Sequence, residues 1–421
     1  MIQISFLGAM GEVGRSGVLV DTGTEKIVLD YGVRIKEVPP IFPIEVDGRP
    51  DAVLLSHAHL DHSGALPVFV AKNNGCPIYS IDINRELVQL LLKDSLKISR
   101  EEGVKLPFDK SDVKKTINNF LDVKYRKPYK IKKSIATAYD AGHIPGSIMW
   151  HVQTEHNILY TGDFNTVDTR LLKKADFDLP DIDILITEST YAQRDHPDRK
   201  KTEKELINTI ESTLAVDGVT LIAGFAVGRI AEILLVLDHY GIDYPLFIDG
   251  MAKKAITIEN KHKRLLKNPE ALDKALKKVS YISSDKYRKK IIKQPAVILT
   301  TSGMLNGGPV VWYIKKLFDN RDCSLILTGF QVEDTPGKIL LETGKFVTKG
   351  VDLEVKMLVK RLDFSAHLGR TELFDFIKKL NPEQIFCMHG DHTPEFAEEL
   401  NKEGFKVFAP IANNRIFNIK D

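Results

Sequence analysis

Two textures of apolar and polar positions succeed one another along the chain. In the first third, short β-branched runs at Ile2–Leu7, Val18–Asp21, Lys26–Asp30 and Ala52–Ser56 are bounded by glycine or charged turns, the pattern of strands. A longer stretch from about Asn84 to Glu102 reads as a helix, and after a basic segment at Lys124–Lys133 strands resume at Ser134–Tyr139, Ile148–Gln153, Asn157–Thr161 and Ile182–Glu188. These runs predict a mixed-sheet domain. From about Thr202 the texture becomes strand, glycine-containing loop and helix in alternation: VTLIAGFAVGRIAEILLVL, YPLFIDGMAKKAI, AVILTTSGMLNGGPVVWYIKKLF and SLILTGFQVEDTPGKILL. Such alternation predicts a doubly wound parallel sheet whose loops gather at the carboxyl edges of the strands, where ligands bind. Around Asp352 short strands return, separated by two helices. The pattern predicts an α/β domain over 192–351, inserted into a domain that occupies 1–191 and resumes over 352–421.

Composition narrows the class. A chain of 421 residues with 43% hydrophobic content is long enough for two or three packed domains. Its 59 basic and 57 acidic side chains nearly cancel, so any site for a polyanion must be local rather than a global field. Cys76, Cys323 and Cys387 follow no repeated spacing, which argues against a disulfide framework and against a thiolate metal site. The first residues lack the basic and apolar regions of a secretion signal, and no apolar run reaches membrane-spanning length. A cytoplasmic protein with no membrane partner is expected.

The chemistry concentrates in HAHLDH at His57–His62, directly after the strand-like DAVLLS. Alternate residues of an extended loop point the same way, so His57 and His59 can share one ion while Asp61 and His62 turn toward another. A lone histidine after a strand is ordinarily a hydrogen-bonded core residue. Four ligand-type side chains within six residues reverse that expectation, because they are costly to pack together without a cation. Imidazole and carboxylate without thiolate suit zinc in a hydrolytic role. His143 in AGHIPGS, Asp163 in YTGDF and His389 in CMHGD, each at the end of a strand-like run, are further candidates.

HAHLDH, His143, Asp163 and the early Asp30 in IVLDYG resemble the successive motifs of the metallo-β-lactamase superfamily. Glu188 in TESTYAQRDH, His367 in LDFSAHLGR and His389 in CMHGD are similar to the three signature positions of its β-CASP nucleases, archaeal and bacterial relatives of the cleavage and polyadenylation endonuclease subunit, with ribonuclease J as a cousin. GAMGEVGRSG, FAVGR and TTSGML extend the resemblance over essentially the whole chain. It implies an αββα sandwich interrupted by a β-CASP domain with a parallel sheet flanked by helices; a KH-type extension ahead of it is not expected from this sequence. It also implies a pair of zinc ions, one held by His57, His59 and His143 and the other by Asp61, His62 and His389, with Asp163 bridging and Asp30 orienting a ligand. His367 would donate a proton to the leaving oxygen, with Glu188 keeping it protonated.

The resemblance therefore implies a zinc-dependent ribonuclease cutting single-stranded RNA, internally or from the 5′ end, as a homodimer or within an RNA-processing complex. Glycine-rich loops supply the expected grip: Ser302, Gly303 and Gly307 free backbone amides near a helix start, and Arg229 and Lys338 are candidate phosphate contacts. The runs at Lys124–Lys133 and Lys286–Lys293 either guide RNA or are solvated faces. Leu368, Gly369 and Arg370 stand where relatives commonly have Ala-Asp, Asp391 where Glu is usual and Lys338 where Arg is frequent; every expected metal ligand is spared. A DNA-processing β-CASP nuclease and a catalytically dead scaffold subunit are alternatives, beside a small-molecule hydrolase of the lactamase or glyoxalase kind, against which the long insertion from about Ala192 to Val351 counts. The first commonly lacks a histidine at the position of His389, and the second normally loses ligands.

Overall fold

The computed structural model describes residues 1–419 apart from 36, 38 and 74. It divides into two compact units, one of residues 1–168, 174–195 and 366–421, the other of residues 169–173 and 196–365.

The first unit is built on two seven-stranded sheets. One has the spatial order Ile416–Ile419, Ile2–Phe6, Val18–Asp21, Lys26–Leu29, Ala52–Leu54, Ile78–Ile81, Phe120–Val123; the other runs Val407–Phe408, Gln384–Met388, Ile184–Glu188, Asn157–Tyr160, Ile148–Gln153, Ser134–Asp140, Pro128–Ile131. Phe6 and Phe417 of the first sheet interleave with Phe386 and Phe408 of the second, with ring centroids 5.3 Å apart for Phe6–Phe386 and 4.8 Å for Phe386–Phe417. Aromatic contacts of this kind fix sheet-on-sheet packing. The outer faces carry helices. Asp82–Glu101 buries Ile83, Leu87, Val88, Leu91, Leu92 and Leu96, one stripe of a 3.6-residue period, and Gly103 follows it in a left-handed conformation. Arg370–Leu380 and Thr393–Lys402 place Phe376, Ile377, Phe396 and Leu400 on Leu159, Leu185, Ile385 and Cys387 of the second sheet. The arrangement is the αββα sandwich.

Strands appear where the alternation predicts them, with ends shifted by a residue or two, and the long helix begins at Asp82 rather than Asn84. Part of the basic segment Lys124–Lys133 is itself a strand, Pro128–Ile131, paired antiparallel with Ser134–Asp140. Arg126 there binds Asp176 and Asp178, and Lys132 lies 2.7 Å from Asp51, so acidic partners already take part of the charge.

The second unit centres on a six-stranded, wholly parallel sheet in the order Val279–Tyr281, Leu246–Ile248, Ala296–Thr300, Val219–Ala223, Ser324–Leu327, Leu358–Arg361. Helices cover both faces, and the strands read as nearly continuous apolar runs because both faces are buried. The insertion extends further than its texture suggests. Leu358–Arg361 pairs with Ser324–Leu327 as the last strand of this sheet, so the chain re-enters the first unit at Ala366 rather than near 352. The segment 169–173, which lies in sequence between two strands of the first unit, also belongs to the second. Glu232 captures it, accepting hydrogen bonds from the backbone N–H groups of Arg170 (3.1 Å) and Leu171 (2.7 Å) and pairing with Arg199.

Among the described residues, no helix is long and apolar enough to cross a membrane, and the three cysteines are buried and unpaired.

Because the Glu232 side chain is only 4% exposed, Glu232→Ala leaves two amides and a guanidinium without their acceptor. Loss of one member of such a buried set costs about 3–5 kcal/mol. A denaturant melt should show it in the second unit; a change under about 1 kcal/mol would mean that the segment 169–173 is held by apolar packing alone.

Candidate metal centre

Each expected ligand stands at or just past the end of a strand of the first unit. Asp30 follows Lys26–Leu29, His57 follows Ala52–Leu54, and His59, Asp61 and His62 occupy the next loop and the short helix Leu60–Ser63. His143 follows Ser134–Asp140, Asp163 follows Asn157–Tyr160, Glu188 ends Ile184–Glu188, and His389 follows Gln384–Met388. Neighbouring strands that run the same way bring residues distant in sequence to one edge. Asp30 and His389 both adopt left-handed φ, of 55° and 52°. For residues with a β-carbon this costs on the order of 1–3 kcal/mol, the kind of strain that a site's surroundings must hold in place.

Two donor sets result, sharing Asp163. In the first, His57 Nε2 and His143 Nε2 each lie 3.2 Å from His59 Nδ1, and Asp163 Oδ2 lies 3.6 Å from His57 Nε2. In the second, Asp163 Oδ1 lies 3.2 Å from His62 Nε2 and 3.7 Å from His389 Nε2, which is itself 3.7 Å from Asp61 Oδ2.

The partners on the far side of each ring decide what faces inward. His143 Nδ1–H donates to the Ala366 carbonyl at 2.9 Å. Asp30 gathers Ser56 Oγ (2.6 Å), Ser56 N (2.6 Å), Tyr160 Oη (2.7 Å) and His62 Nδ1 (2.6 Å). With its hydroxyl proton given to Asp30, Ser56 Oγ accepts from His57 Nδ1 at 3.0 Å. Ser16 Oγ lies 2.7 Å from His389 Nδ1. The ring protons of His57 and His143 are thereby committed outward, leaving their Nε2 lone pairs turned toward His59 Nδ1. At 3.2 Å the three nitrogens have at most the His59 ring proton to share, and a cation among them would occupy the remaining lone pairs. Buried His62 Nε2 and Asp163 Oδ1 face each other at 3.2 Å, and buried His59 Nε2 has no hydrogen-bond partner. The residues fit a divalent metal with nitrogen and oxygen ligands, and the donor chemistry is that of zinc sites.

Electrostatics agree with this. Burial, reinforced by neighbouring imidazoles, holds His57 and His143 well below the usual histidine range, so they are neutral as ligands must be. His62, although buried, is pushed well above that range by Asp163 and Asp30; its extra proton balances carboxylates that a cation would otherwise neutralise. Against the same burial, His62, His389 and His367 hold Asp163 well below the ordinary carboxylate range. Burial and the nearby Asp30 push Tyr160 far up, which keeps it a donor.

Beside these sets, Glu188 receives His367 Nδ1 at 3.0 and 2.9 Å on its two oxygens and the amide of Phe164 at 2.9 Å, and His367 Nε2 lies 3.9 Å from Asp163 Oδ2. Burial alone would lower the His367 pKa; Glu188, and then Asp163, raise it to about 9.

Asp30, Ser56, Tyr160 and Ser16 show how far a sequence pattern reaches. Asp30 belongs to a recognisable motif, whereas the other three give no signal beyond a small polar residue next to one. Gly32 is also part of the construction: a β-carbon there would sit 1.7 Å from the carbonyl oxygen of Asp61.

In the second unit, the loops after Val219–Ala223, Ala296–Thr300 and Ser324–Leu327 meet one another. Gly303 packs on Gly224, and Gln331 Nε2 donates to the Gly303 carbonyl at 3.0 Å. Ser302 Oγ lies 3.4 Å from the Gly307 carbonyl, Gly308 caps the helix Pro309–Leu317, and Arg229 opens the helix Arg229–His239. Lys338 is engaged by Glu333 at 3.0 Å and Glu342 at 2.9 Å, so its charge is already matched. In the Lys286–Lys293 run, Arg288 is turned inward onto buried Asp249 at 2.6 Å.

Family models match three stretches of the chain: a metallo-beta-lactamase superfamily domain over 12–189, a Beta-Casp domain over 230–340, and a Zn-dependent metallo-hydrolase RNA specificity domain over 352–410. A protein named probable RNase MJ4 from Methanocaldococcus jannaschii is 42% identical over 93% of this chain and 93% of its own length. The chain belongs to the β-CASP family of the metallo-β-lactamase superfamily. Two other relatives of this β-CASP chain are RNase aCSPSF2 of Saccharolobus solfataricus, 35% identical over 97% of the chain and 83% of that protein, and the transcription termination factor FttA of Methanothermobacter thermautotrophicus, 35% identical over 93% and 67%. A crystal structure of a protein of unknown function from Enterococcus faecalis V583 superposes with a TM-score of 0.62 at 14% identity, covering 99% of each chain, and shares the fold.

Because Asp163 lies in both donor sets, Asp163→Ala should strip most of the metal from the purified β-CASP protein, as read by elemental analysis. Full occupancy in that variant would mean that the ions sit elsewhere.

Proposed function

We propose that this β-CASP chain is a zinc-dependent ribonuclease that hydrolyses phosphodiester bonds of single-stranded RNA. The observation that carries the reading is the sharing of buried Asp163 between two donor sets, with the His367–Glu188 pair alongside. His57, His59 and His143 would hold one zinc ion, Asp61, His62 and His389 the other, and Asp163 both. Bound there, such a pair supplies positive charge to the phosphodiester oxygens and acidifies a shared water.

The chain's own residues account for the remaining work. Hydrolysis expels an alkoxide, a poor leaving group that benefits from a proton. Glu188 accepts from His367 Nδ1, so the proton on Nε2 is the one turned toward the cluster. With its pKa at about 9, His367 carries that proton at neutral pH. Asp30 keeps His62 oriented, and the Ala366 carbonyl does the same for His143.

RNA is favoured over DNA by the match to an RNA specificity domain, by the RNase names of two relatives and by the presence of His389. The intact ligand set favours an enzyme over a scaffold subunit. Ser302, Gly303, Gly307 and Arg229 would grip the backbone phosphates, with Lys338 the weakest member because of its acidic partners. Internal and 5′-to-3′ cleavage both suit the fold. A homodimer, an RNA-processing assembly and a cytoplasmic location complete the reading by likeness to relatives.

Attack of water on phosphorus with departure of the 3′ oxygen leaves 5′-phosphate and 3′-hydroxyl ends. End-labelling of the products should find them; a 2′,3′-cyclic phosphate would indicate attack by the ribose hydroxyl instead. His367→Ala should keep its metal and lose roughly 10²–10⁴-fold in RNA turnover, the usual worth of a placed acid. On bis-p-nitrophenyl phosphate, whose phenolate leaves unaided, the same variant should lose far less. Equal losses on the two substrates would leave His367 as a binding or structural group.

A further inference from the structure

Two members of the second donor set are tied to a loop that contributes no donor to it. Residues 8–17 lead from the strand Ile2–Phe6 to the strand Val18–Asp21, and the Leu7 amide closes the loop on the Gly17 carbonyl at 2.8 Å. Its shape is tightly determined. A β-carbon at Gly8 would lie 2.0 Å from the Arg15 carbonyl oxygen, Ala9 and Arg15 hold left-handed φ of 55° and 44°, and Glu12 is bound by both Arg15 and Arg34. From this frame the Ser16 amide donates to the Asp61 carbonyl at 2.8 Å, while the Ser16 carbonyl accepts from the Gly32 amide at 2.8 Å. His389 is met at two points. Its amide donates to the Ala9 carbonyl at 2.9 Å, and its Nδ1 lies 2.7 Å from the Oγ of Ser16, a residue that is fully buried.

We infer that Ser16 is a positioning residue for the metal position formed by Asp61, His62, His389 and Asp163, its hydroxyl holding the His389 ring and its backbone the short helix that carries Asp61. An imidazole that offers Nε2 to a metal keeps its proton on Nδ1, and the partner of that proton sets the orientation of the ring. Among the described residues, Ser16 Oγ is the hydrogen-bond partner of His389 Nδ1. On the opposite side of the ring, Asp61 Oδ2 and Asp163 Oδ1 each lie 3.7 Å from Nε2, within the cluster itself. His389 stands just past the strand Gln384–Met388 at a left-handed φ of 52°, outside the regular ladder. Its carbonyl accepts from Thr190 Oγ1 at 3.1 Å and its amide is taken by Ala9, which fixes where the ring starts; Ser16 fixes where the ring points. The first donor set draws its outer partners from other places. Ser56 Oγ accepts from His57 Nδ1, and the Ala366 carbonyl accepts from His143 Nδ1. A change at the Ser16 hydroxyl therefore bears on one metal position and spares the other.

This role rests on the reading of the cluster as a pair of metal positions, and the test separates the two. Full-length protein stripped of metal is titrated with zinc against a competing chelator, as wild type, Ser16→Ala, His389→Ala and the double variant Ser16→Ala/His389→Ala. The wild type should take up a pair of zinc ions. Ser16→Ala should weaken one of them by about 10–100-fold, the usual cost of losing the outer partner of a metal-bound imidazole, and leave the other within about 2-fold. His389→Ala should weaken the same ion further, and the double variant should bind zinc as His389→Ala does, because the hydroxyl then has no ring to orient. A second measurement needs no substitution at Ser16. In the histidine-ring NMR spectrum of the zinc-loaded wild type, the His389 resonances, identified by comparison with His389→Ala, should show the proton on Nδ1 and in slow exchange with water. Uptake of a pair of ions by the wild type, together with both affinities unchanged in Ser16→Ala, both weakened alike, a double variant weaker than His389→Ala, or a His389 proton on Nε2, overturns the role of Ser16 and leaves the metal pair in place. Uptake of a single ion or none by the wild type overturns the two-metal reading and the role of Ser16 together.

Discussion

One buried carboxylate governs this molecule. Asp163 is 2% exposed and has five imidazoles within 3.9 Å, those of His57, His62, His143, His367 and His389. Such a concentration of polar groups out of water is expensive unless the charges match and the lone pairs are occupied. Everything around it meets that demand. The outward ring protons are taken by Asp30, Ser56 and Ala366, and Glu188 takes that of His367, so that every remaining donor atom faces inward. The sandwich serves this arrangement by ending several strands at one edge, each delivering its side chain to the cluster from a rigid backbone.

Much of this was legible in the sequence. HAHLDH announces itself through density alone, and the other residues of the cluster stand where an apolar run stops. The alternation of strand and helix from Thr202 onward foretells the parallel sheet. What escaped was whatever depends on three-dimensional adjacency without a local pattern. Ser16 and His389 are separated by 373 positions, and nothing in GAMGEVGRSG says which of its residues will touch the donor cluster. The far boundary of the insertion was hidden for a similar reason: Leu358–Arg361 has the same short-strand texture as the strands that follow it, and only its pairing assigns it to the second unit. Basic runs were ambiguous because a pattern of lysines carries no record of the acids that will face it, as with Asp176 and Asp178 beside Arg126.

The relatives sharpen the chemistry without replacing it. Names such as RNase and transcription termination factor attach to proteins that share a third or more of their residues with this chain, and they span different cellular uses of one architecture. Function resides in the site rather than in the fold. Residues 368–370 belong to neither donor set. Leu368 is packed into the core beside Leu373 and Phe376, and its neighbours are tied to Ala192, Arg194 and Asp195.

The order in which the residues of the cluster occur along the chain has its own consequence for synthesis. The first sheet is finished only when Ile416–Ile419 pairs with Ile2–Phe6, and His389 reaches the centre only after the whole second unit has been made. A growing polypeptide on the ribosome therefore holds His57, His59, His62, His143 and Asp163 for a long interval without the residues that complete their surroundings. Contacts between such distant partners form late and slowly. Until His389 and the strand Ile416–Ile419 have been made, the growing chain carries its early cluster of imidazoles without the residues that complete it.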